Sequence, residues 1–262
     1  MAFVLGGGGL LGAHEVGMLR ALGEAGIRPD VVVGTSIGAI NGAFVAADPA
    51  GAVDRLSELW ADHTVRTSFS SPLWERLWTL ARSGTHLHAA APLHRLLSDL
   101  LPVTTFDELQ LPFQCVAAGI ETAMAHWFVD GPIAPAVLAS CAVPGLLPPI
   151  EVDGVHYFDG GLVHSIPVGR AVELGAGTIY VLHVGRIERP LRPPTRPWEV
   201  GMVAFEIARR HRFFEEMETL PGHVRVHVLP SGAARSLPRQ RRVSTYVDQA
   251  YEACSRYLDS QR

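Results

Sequence analysis

The sequence predicts an α/β protein built on a parallel sheet, and three observations carry that prediction. Within residues 1–48 the chain reads strand, turn, helix, strand, turn, helix, the opening of a parallel sheet with crossover helices. The two strands, AFVL at 2–5 and VVVG at 31–34, are unbroken apolar runs, as expected of strands covered on both faces. A third such run, GTIYVLHV at 177–184, lies far downstream.

Each further element has a local reason. HEVGMLRALGEAGI at 14–27 places Val16, Leu19, Leu22 and Gly23 at helical spacing, with Gly26 near its end. IGAINGAFVAA continues the second strand as a helix. Helical patterns follow at 51–64, 72–82 and 92–101; in the middle one Leu73, Trp74, Leu77, Trp78 and Ala81 share a face. FQCVAAGI at 113–120 and HWFVD at 126–130 read as strands, and VHYFDGG at 155–161 as a strand running into a turn. RPLRPPTRPW at 189–198 is a proline-rich connection, too stiff and short to separate two domains. A long helix at 199–219 carries Val200, Val203, Ile207, Phe214 and Met217 on the face expected to cover the sheet. A strand at 223–230, an Arg-rich loop and a helix at 244–260 complete the chain, which is read as one domain over 1–262.

Composition removes several classes of function. The chain is 48% hydrophobic and 18% charged, enough apolar surface for a sizeable core. A net charge of −4 leaves no basic footprint, so nucleic acid is not expected as a partner. All 22 basic residues are Arg, which excludes a Ser–Lys dyad and any Schiff-base lysine. Cys115, Cys141 and Cys254 are widely spaced, forming neither a disulfide framework nor a zinc site, and fit a reducing compartment. MAFVLGG has no basic leader or cleavage-type region, so no signal peptide is expected. The uncharged stretches 31–47 and 132–150 are interrupted by glycines or prolines and do not read as spanning helices. The expectation is a soluble cytoplasmic protein, at most peripheral at a membrane.

The chemistry concentrates at GTSIG, residues 34–38, which fits G-x-S-x-G. That pattern has meaning only where a strand precedes the serine and a helix follows it, as VVV and IGAINGAFVAA do here. Flanking glycines permit a sharp turn that lifts Ser36 Oγ clear of the sheet and aims a helix N-terminus at charge developing beside it. Ser36 is the candidate nucleophile. Acyl transfer through serine needs hydrogen-bond donors where a carbonyl oxygen becomes an oxyanion. The run GGGG at 6–9, between a strand and a helix, offers successive N–H groups with no side chain in the way. Gly7, Gly8 and Gly9 are the candidate donors, with the N–H of Ile37 a further one.

Two other glycine-loop chemistries fit poorly. Residues 7–12 match G-x-G-x-x-G, yet Asp30 precedes the second strand instead of ending it, and Ser36 fills the following turn. A P-loop requires a Gly-Lys step, and the chain has no Lys. The serine also needs a proton acceptor. Twelve histidines keep a Ser–His–Asp triad open, with His164, His183 and His227 among them. Asp159 in YFDGG is the more pointed signal, because it ends a strand and two glycines let the chain turn away from its carboxylate.

GGGGLLGAHEVGMLRAL, GTSIGAINGA and ASCAVPGLLPPIEVDGVHYFDGGLVHSIPV, in that order, resemble the patatin-like phospholipases. The resemblance runs over about residues 3–185 and is thinnest over 51–110. It implies a three-layer α/β/α fold with a mostly parallel central sheet, and a Ser–Asp dyad without catalytic histidine. Carried over by position, Ser36 is the nucleophile, Asp159 the base, and the loop of Gly7, Gly8 and Gly9 the oxyanion hole, with no metal and no cofactor. This sequence departs from the family where Leu11 replaces the usual Arg or Lys of the glycine loop. Losing that cation is expected to lower activity or turn preference away from anionic substrates, unless another of the arginines replaces it. His164 and Ser165 stand where asparagines usually follow DGG.

The resemblance implies lipid acyl esters as substrates, cleaved in the manner of a phospholipase A or lysophospholipase. The face of Leu73, Trp74, Leu77 and Trp78, with Phe69 and Trp60 nearby, reads as core or as a membrane-contacting lid, core being the commoner role. RRHR at 209–212 and Arg235, Arg239, Arg241 and Arg242 read as solvated charge ahead of contacts to lipid phosphate. His86, His88 and His94 lack an acidic or Cys partner at ligand spacing, so no metal is expected there. An esterase or thioesterase for a soluble acyl substrate and a non-catalytic lipid-binding protein are the competing readings.

Overall fold

A computed structural model describes residues 1–61, 85–184, 190–232 and 243–261. The helix expected at 72–82 with its tryptophan face, and the Arg-rich loop, lie outside these residues. Three elements come first: β1 (Ala2–Leu5), α1 (Ala13–Glu24) and β2 (Val31–Thr35). α2 (Ile37–Ala47), α3 (Ala52–Ala61) and α4 (Ala91–Leu100) follow, then β3 (Phe113–Gly119) and β4 (Ala125–Phe128). After these run α5 (Ile133–Ser140), β5 (Ile150–Val152), β6 (Val155–Asp159) and α6 (Val168–Glu173). β7 (Thr178–Leu182), α7 (Pro197–Glu218), β8 (Arg225–Val228) and α8 (Val243–Ser260) end the description.

β1, β2, β3, β7 and β8 pair in parallel in the order β3-β2-β1-β7-β8, while β4 and β6 join β3 antiparallel and β5 joins β6. The sheet is therefore mixed, with a parallel body. Alternation along the strands divides two cores. Phe3, Leu5 and Val32 face α1, α2 and α3, whereas Ala2, Val4 and Val33 pack with Val168 and Ala171 of α6 and Phe213 of α7. Helices thus cover both faces, the three-layer arrangement expected from the sequence.

Register on β3 brings the distant motifs together. Cys115 pairs with Gly34 on β2 and with Phe128 on β4, so β2 and β4 lie on opposite edges. Ala117 pairs with His126 on β4 and with Asp159 on β6, which puts β6 on the same edge as β2. Along that edge Val116 faces Thr35 and Ala117 faces Asp159. The last residue of β2 and the last of β6 therefore meet end to end, pointing into one gap.

The sequence did not indicate α5, β5 or α6. α5 sits inside the proline-rich stretch 132–150; Pro135 falls in its first turn, where a missing N–H costs nothing. The buried face of α7 also differs from the expected one. Val200, Ile207 and Phe214 are 54%, 55% and 49% exposed, while Arg209 and Phe213 turn inward. Met217 and Val203 are half-buried. An arginine occupies a core-facing position because its Nη1 and Nη2 find acceptors there, as described below.

Candidate active site

Ser36 sits between β2 and α2 with φ 57° and ψ −128°, a backbone conformation that an L-residue adopts only under constraint. Such strain costs about 1–3 kcal/mol and gathers at functional positions. Two close approaches hold it. A Cβ on Gly34 would lie 2.6 Å from the Gly38 carbonyl oxygen, and one on Gly38 would lie 2.3 Å from that of Leu5. Only glycines let the start of α2 press against the end of β1. Gly38→Ala should therefore destabilise the fold by about 2–4 kcal/mol in urea denaturation, because backbone cannot move aside as a side chain does. A change under about 1 kcal/mol would show that the elbow has slack.

Ser36 Oγ donates to Asp159 Oδ2 at 2.6 Å. The Gly161 N–H donates to Asp159 Oδ1 at 2.7 Å, so the turn after β6 pins one carboxylate oxygen and leaves the other to the serine. The Ser36 N–H donates to Ser140 Oγ at 2.9 Å, tying the elbow to the end of α5. Asp159 is fully buried, and burial pushes its pKa up to about 6. The Ser36 hydroxyl, the Gly161 N–H and the Arg209 guanidinium each oppose that rise.

Two of the histidines weighed for a triad, His164 and His227, are engaged by other side chains. His164 Nδ1 lies 2.5 Å from Glu216 Oε1, His183 is offset 6.5 Å between ring centres from Phe213, and His227 stacks on Tyr180. The serine's hydroxyl bond goes to the carboxylate.

The glycine loop does not present its N–H groups equally. The Gly7 N–H donates to the Ser165 carbonyl at 3.2 Å, which removes it from the set of donors expected from the sequence. The Gly7 backbone still lies beside the nucleophile, since a Cβ there would be 3.3 Å from Ser36 Cβ. Gly8 and Gly9 follow, and Gly9 has φ 56°, a left-handed conformation suited to a residue without a side chain. Ile37 opens α2, where the first N–H groups have no intrahelical acceptor. Gly8, Gly9 and Ile37 therefore remain as candidate donors.

Beneath the loop, Asn41 Nδ2 donates to the Gly12 carbonyl at 3.1 Å and to Glu15 Oε2 at 2.7 Å, while Trp60 Nε1 donates to Asn41 Oδ1 at 3.1 Å. Glu15 is buried, and burial raises its pKa against the opposing Asn41 bond. This buried set anchors the segment leaving the glycine loop. Leu11, where the resemblance led to the expectation of a cation, packs partly buried against the main core. No cluster of three or more His, Cys, Asp or Glu side chains suited to a metal occurs among the described residues. Nor is any described helix long and apolar enough to cross a membrane.

Sequence reading gave no role at this site to three residues: Ser140, Ser165 and Arg209. Ser140 and Ser165 act through contacts made across 104 residues or more and through a backbone turn, which no local pattern encodes. Arg209 had one legible signal: Glu206 precedes it by one helical turn and Phe213 follows by one, placing all three along one side of α7.

An α/β sandwich with a serine at a strained strand-to-helix elbow, bonded to a buried aspartate, defines the class. The chain belongs to the patatin-like phospholipase family. A family model described as "Patatin-like phospholipase" matches residues 3–172. Among curated relatives, the patatin-like phospholipase domain-containing protein ZK370.4 of Caenorhabditis elegans is 33% identical over 191 residues, covering 72% of this chain and 14% of its own. Human patatin-like phospholipase domain-containing protein 6 is 32% identical over 71% of this chain and 13% of its own. Lysophospholipase nte1 of Emericella nidulans is 31% identical over 72% of this chain and 12% of its own. The chain thus spans about one seventh of the length of these relatives. The solved structure of VipD from Legionella pneumophila superposes with a TM-score of 0.57 at 14% identity, over 99% of this chain and 66% of that one, a likeness of fold.

Proposed function

We propose that the chain is a serine acyl hydrolase cleaving lipid carboxylic esters, of the phospholipase A or lysophospholipase kind. The observation that carries the reading is the 2.6 Å bond from Ser36 Oγ to a buried Asp159. Family membership and the relative named as a lysophospholipase support the substrate class.

Each step assigns a job to a group already in place. Asp159 Oδ2 takes the Ser36 proton as Oγ attacks the ester carbonyl carbon. The carbonyl oxygen becomes an oxyanion, held by the N–H groups of Gly8, Gly9 and Ile37 at the positive end of α2. Protonated Asp159 then gives its proton to the leaving alcohol as the C–O bond breaks, leaving an acyl group on Ser36. Water, deprotonated by Asp159, attacks the acyl-serine, and the proton returns to Oγ as the free acid departs. These steps use only protein groups and water, so no metal is needed.

A carboxylate in water, with pKa about 3.9, is a weak base for a serine hydroxyl. Burial helps by raising the proton affinity of Asp159, whose pKa is about 6. Only the ionised form accepts the proton. The rate constant kcat/KM should therefore fall about tenfold per pH unit below pH 6. Initial rates on p-nitrophenyl butyrate between pH 4.5 and 8 check this. An acidic limb near pH 4 would mean a solvated base and contradict the assignment.

The test of the function itself is labelling with a fluorophosphonate, followed by rates on phosphatidylcholine and lysophosphatidylcholine vesicles. Labelling of the wild type but not of Ser36→Ala, with faster turnover of the lipids than of p-nitrophenyl butyrate, is the expected result. Absence of labelling would point to a non-catalytic protein, and indifference to vesicles would point to a soluble ester or thioester.

A further inference from the structure

Arg209 is one of the few charged side chains buried among the described residues, 6% exposed, and it enters the site from α7. Its Nη1 donates to the Gly7 carbonyl oxygen at 2.9 Å and to Ser165 Oγ at 3.3 Å, while Nη2 pairs with Glu206 Oε2 at 3.1 Å. The bond to Gly7 is a contact across 202 positions, made to the loop that lies against the nucleophile.

The Gly7 carbonyl belongs to the same peptide unit as the Gly8 N–H. In a planar trans peptide those two groups point in opposite directions, and no peptide bond among the described residues is cis. A guanidinium on the oxygen therefore fixes which way the Gly8 N–H points, away from Arg209. It also draws electron density toward the oxygen, making that N–H a stronger donor, since hydrogen bonds in series polarise one another. On the preceding unit, the Gly7 N–H is tied to the carbonyl of Ser165, whose hydroxyl Arg209 also holds. Gly7 is braced on both sides.

We propose that Arg209 is a positioning residue of the oxyanion loop: it orients and polarises the Gly7–Gly8 peptide from behind, and so supplies from α7 the cation that the loop lacks at Leu11. The inference rests on Ser36 being the nucleophile. Arginine suits the position because its planar fork reaches the Gly7 oxygen, the Ser165 hydroxyl and the Glu206 carboxylate together, which a lysine ammonium on a flexible stem does not. Its charge is partly matched by Glu206, which also faces Arg210 Nε at 3.5 Å. The groups facing Asp159 are the Ser36 hydroxyl, the Gly161 N–H, the buried Cys141 thiol and Arg209.

The test compares wild type, Arg209→Met, Arg209→Lys and Ser36→Ala on p-nitrophenyl butyrate. It measures kcat and KM from pH 5 to 9, with thermal melting to report folding. For Arg209→Met the expected result is a kcat lower by about 10- to 100-fold with KM within about twofold, the sign of an interaction made in the transition state. Its acidic limb should move to higher pH, because a cation opposing the protonation of Asp159 is gone. Arg209→Lys should keep the wild-type limb while kcat falls about three- to tenfold. A merely structural arginine would lower the melting temperature and leave kcat above the limb unchanged, whether or not the limb moves with the lost charge. An Arg209→Met enzyme with wild-type kcat above its acidic limb overturns the inference, wherever that limb falls. Should that variant fail to fold, Arg209→Lys decides: a Lys enzyme indistinguishable from wild type in kcat overturns it. Activity surviving in Ser36→Ala would instead defeat the nucleophile assignment, a separate failure.

Discussion

Ser36→Ala is expected to lower kcat for ester hydrolysis by about 10⁴- to 10⁶-fold and to abolish fluorophosphonate labelling. The loss is large because the hydroxyl is the atom that forms the acyl bond, so no partial substitute exists. Folding should survive, since alanine has the same Cβ as serine and meets the same φ of 57° that the elbow already imposes. The buried carboxylate of Asp159 loses one of its two hydrogen-bond donors, Ser36 Oγ, leaving the Gly161 N–H. A penalty of about 1–2 kcal/mol at neutral pH should follow, visible as a lower urea midpoint with an unchanged slope. Retention of more than about a tenth of the wild-type rate would remove Ser36 from the mechanism.

Asp159→Asn should divide activity from stability in opposite directions. Turnover should fall by about 10³- to 10⁴-fold, because an amide cannot accept the serine proton. Stability at pH 7 should rise. In the folded protein burial lifts the pKa of Asp159 to about 6, above its ordinary value of 3.8, so between those pH values the native state binds more protons than the unfolded chain. Stability then falls as pH rises through this window, and above it the ionised carboxylate costs about 3 kcal/mol. Asparagine keeps the shape, accepting from Gly161 with its oxygen and donating to Ser36 with its nitrogen, and carries no charge to desolvate. The expected gain is about 1–3 kcal/mol at pH 7 and close to none at pH 4, read as the difference between variant and wild-type urea midpoints. A destabilised variant at pH 7 would mean that the buried charge is stabilised by its surroundings and that the raised pKa is wrong.

In the proposed arrangement, Arg209 lets the glycine loop work without a cation of its own. With an apolar side chain at Leu11, the cation that reaches the loop is Arg209, on a helix nearly two hundred positions away, bonded to the Gly7 carbonyl. An arginine placed there answers three acceptors at once, so the unfavourable burial of a charge is met by bonds to Gly7, Ser165 and Glu206.

What the sequence by itself determined depends on neighbours along the chain. Apolar runs located β1, β2 and β7; G-x-S-x-G located the elbow, and α2 begins at Ile37 as expected because the glycines end the strand and free the turn. YFDGG marked Asp159, since a carboxylate before two glycines can end a strand and face outward. The tertiary structure alone decided which of these meet and what each then does. It set β2 and β6 end to end on one edge of β3, bringing Ser36 within 2.6 Å of a carboxylate 123 positions away in place of a histidine. It gave the Gly7 N–H to Ser165, and it turned Arg209 inward while leaving Val200, Ile207 and Phe214 outside. Periodicity misjudged that face because a helical pattern weighs hydrophobicity, whereas an arginine whose Nη1 and Nη2 find acceptors can sit inside.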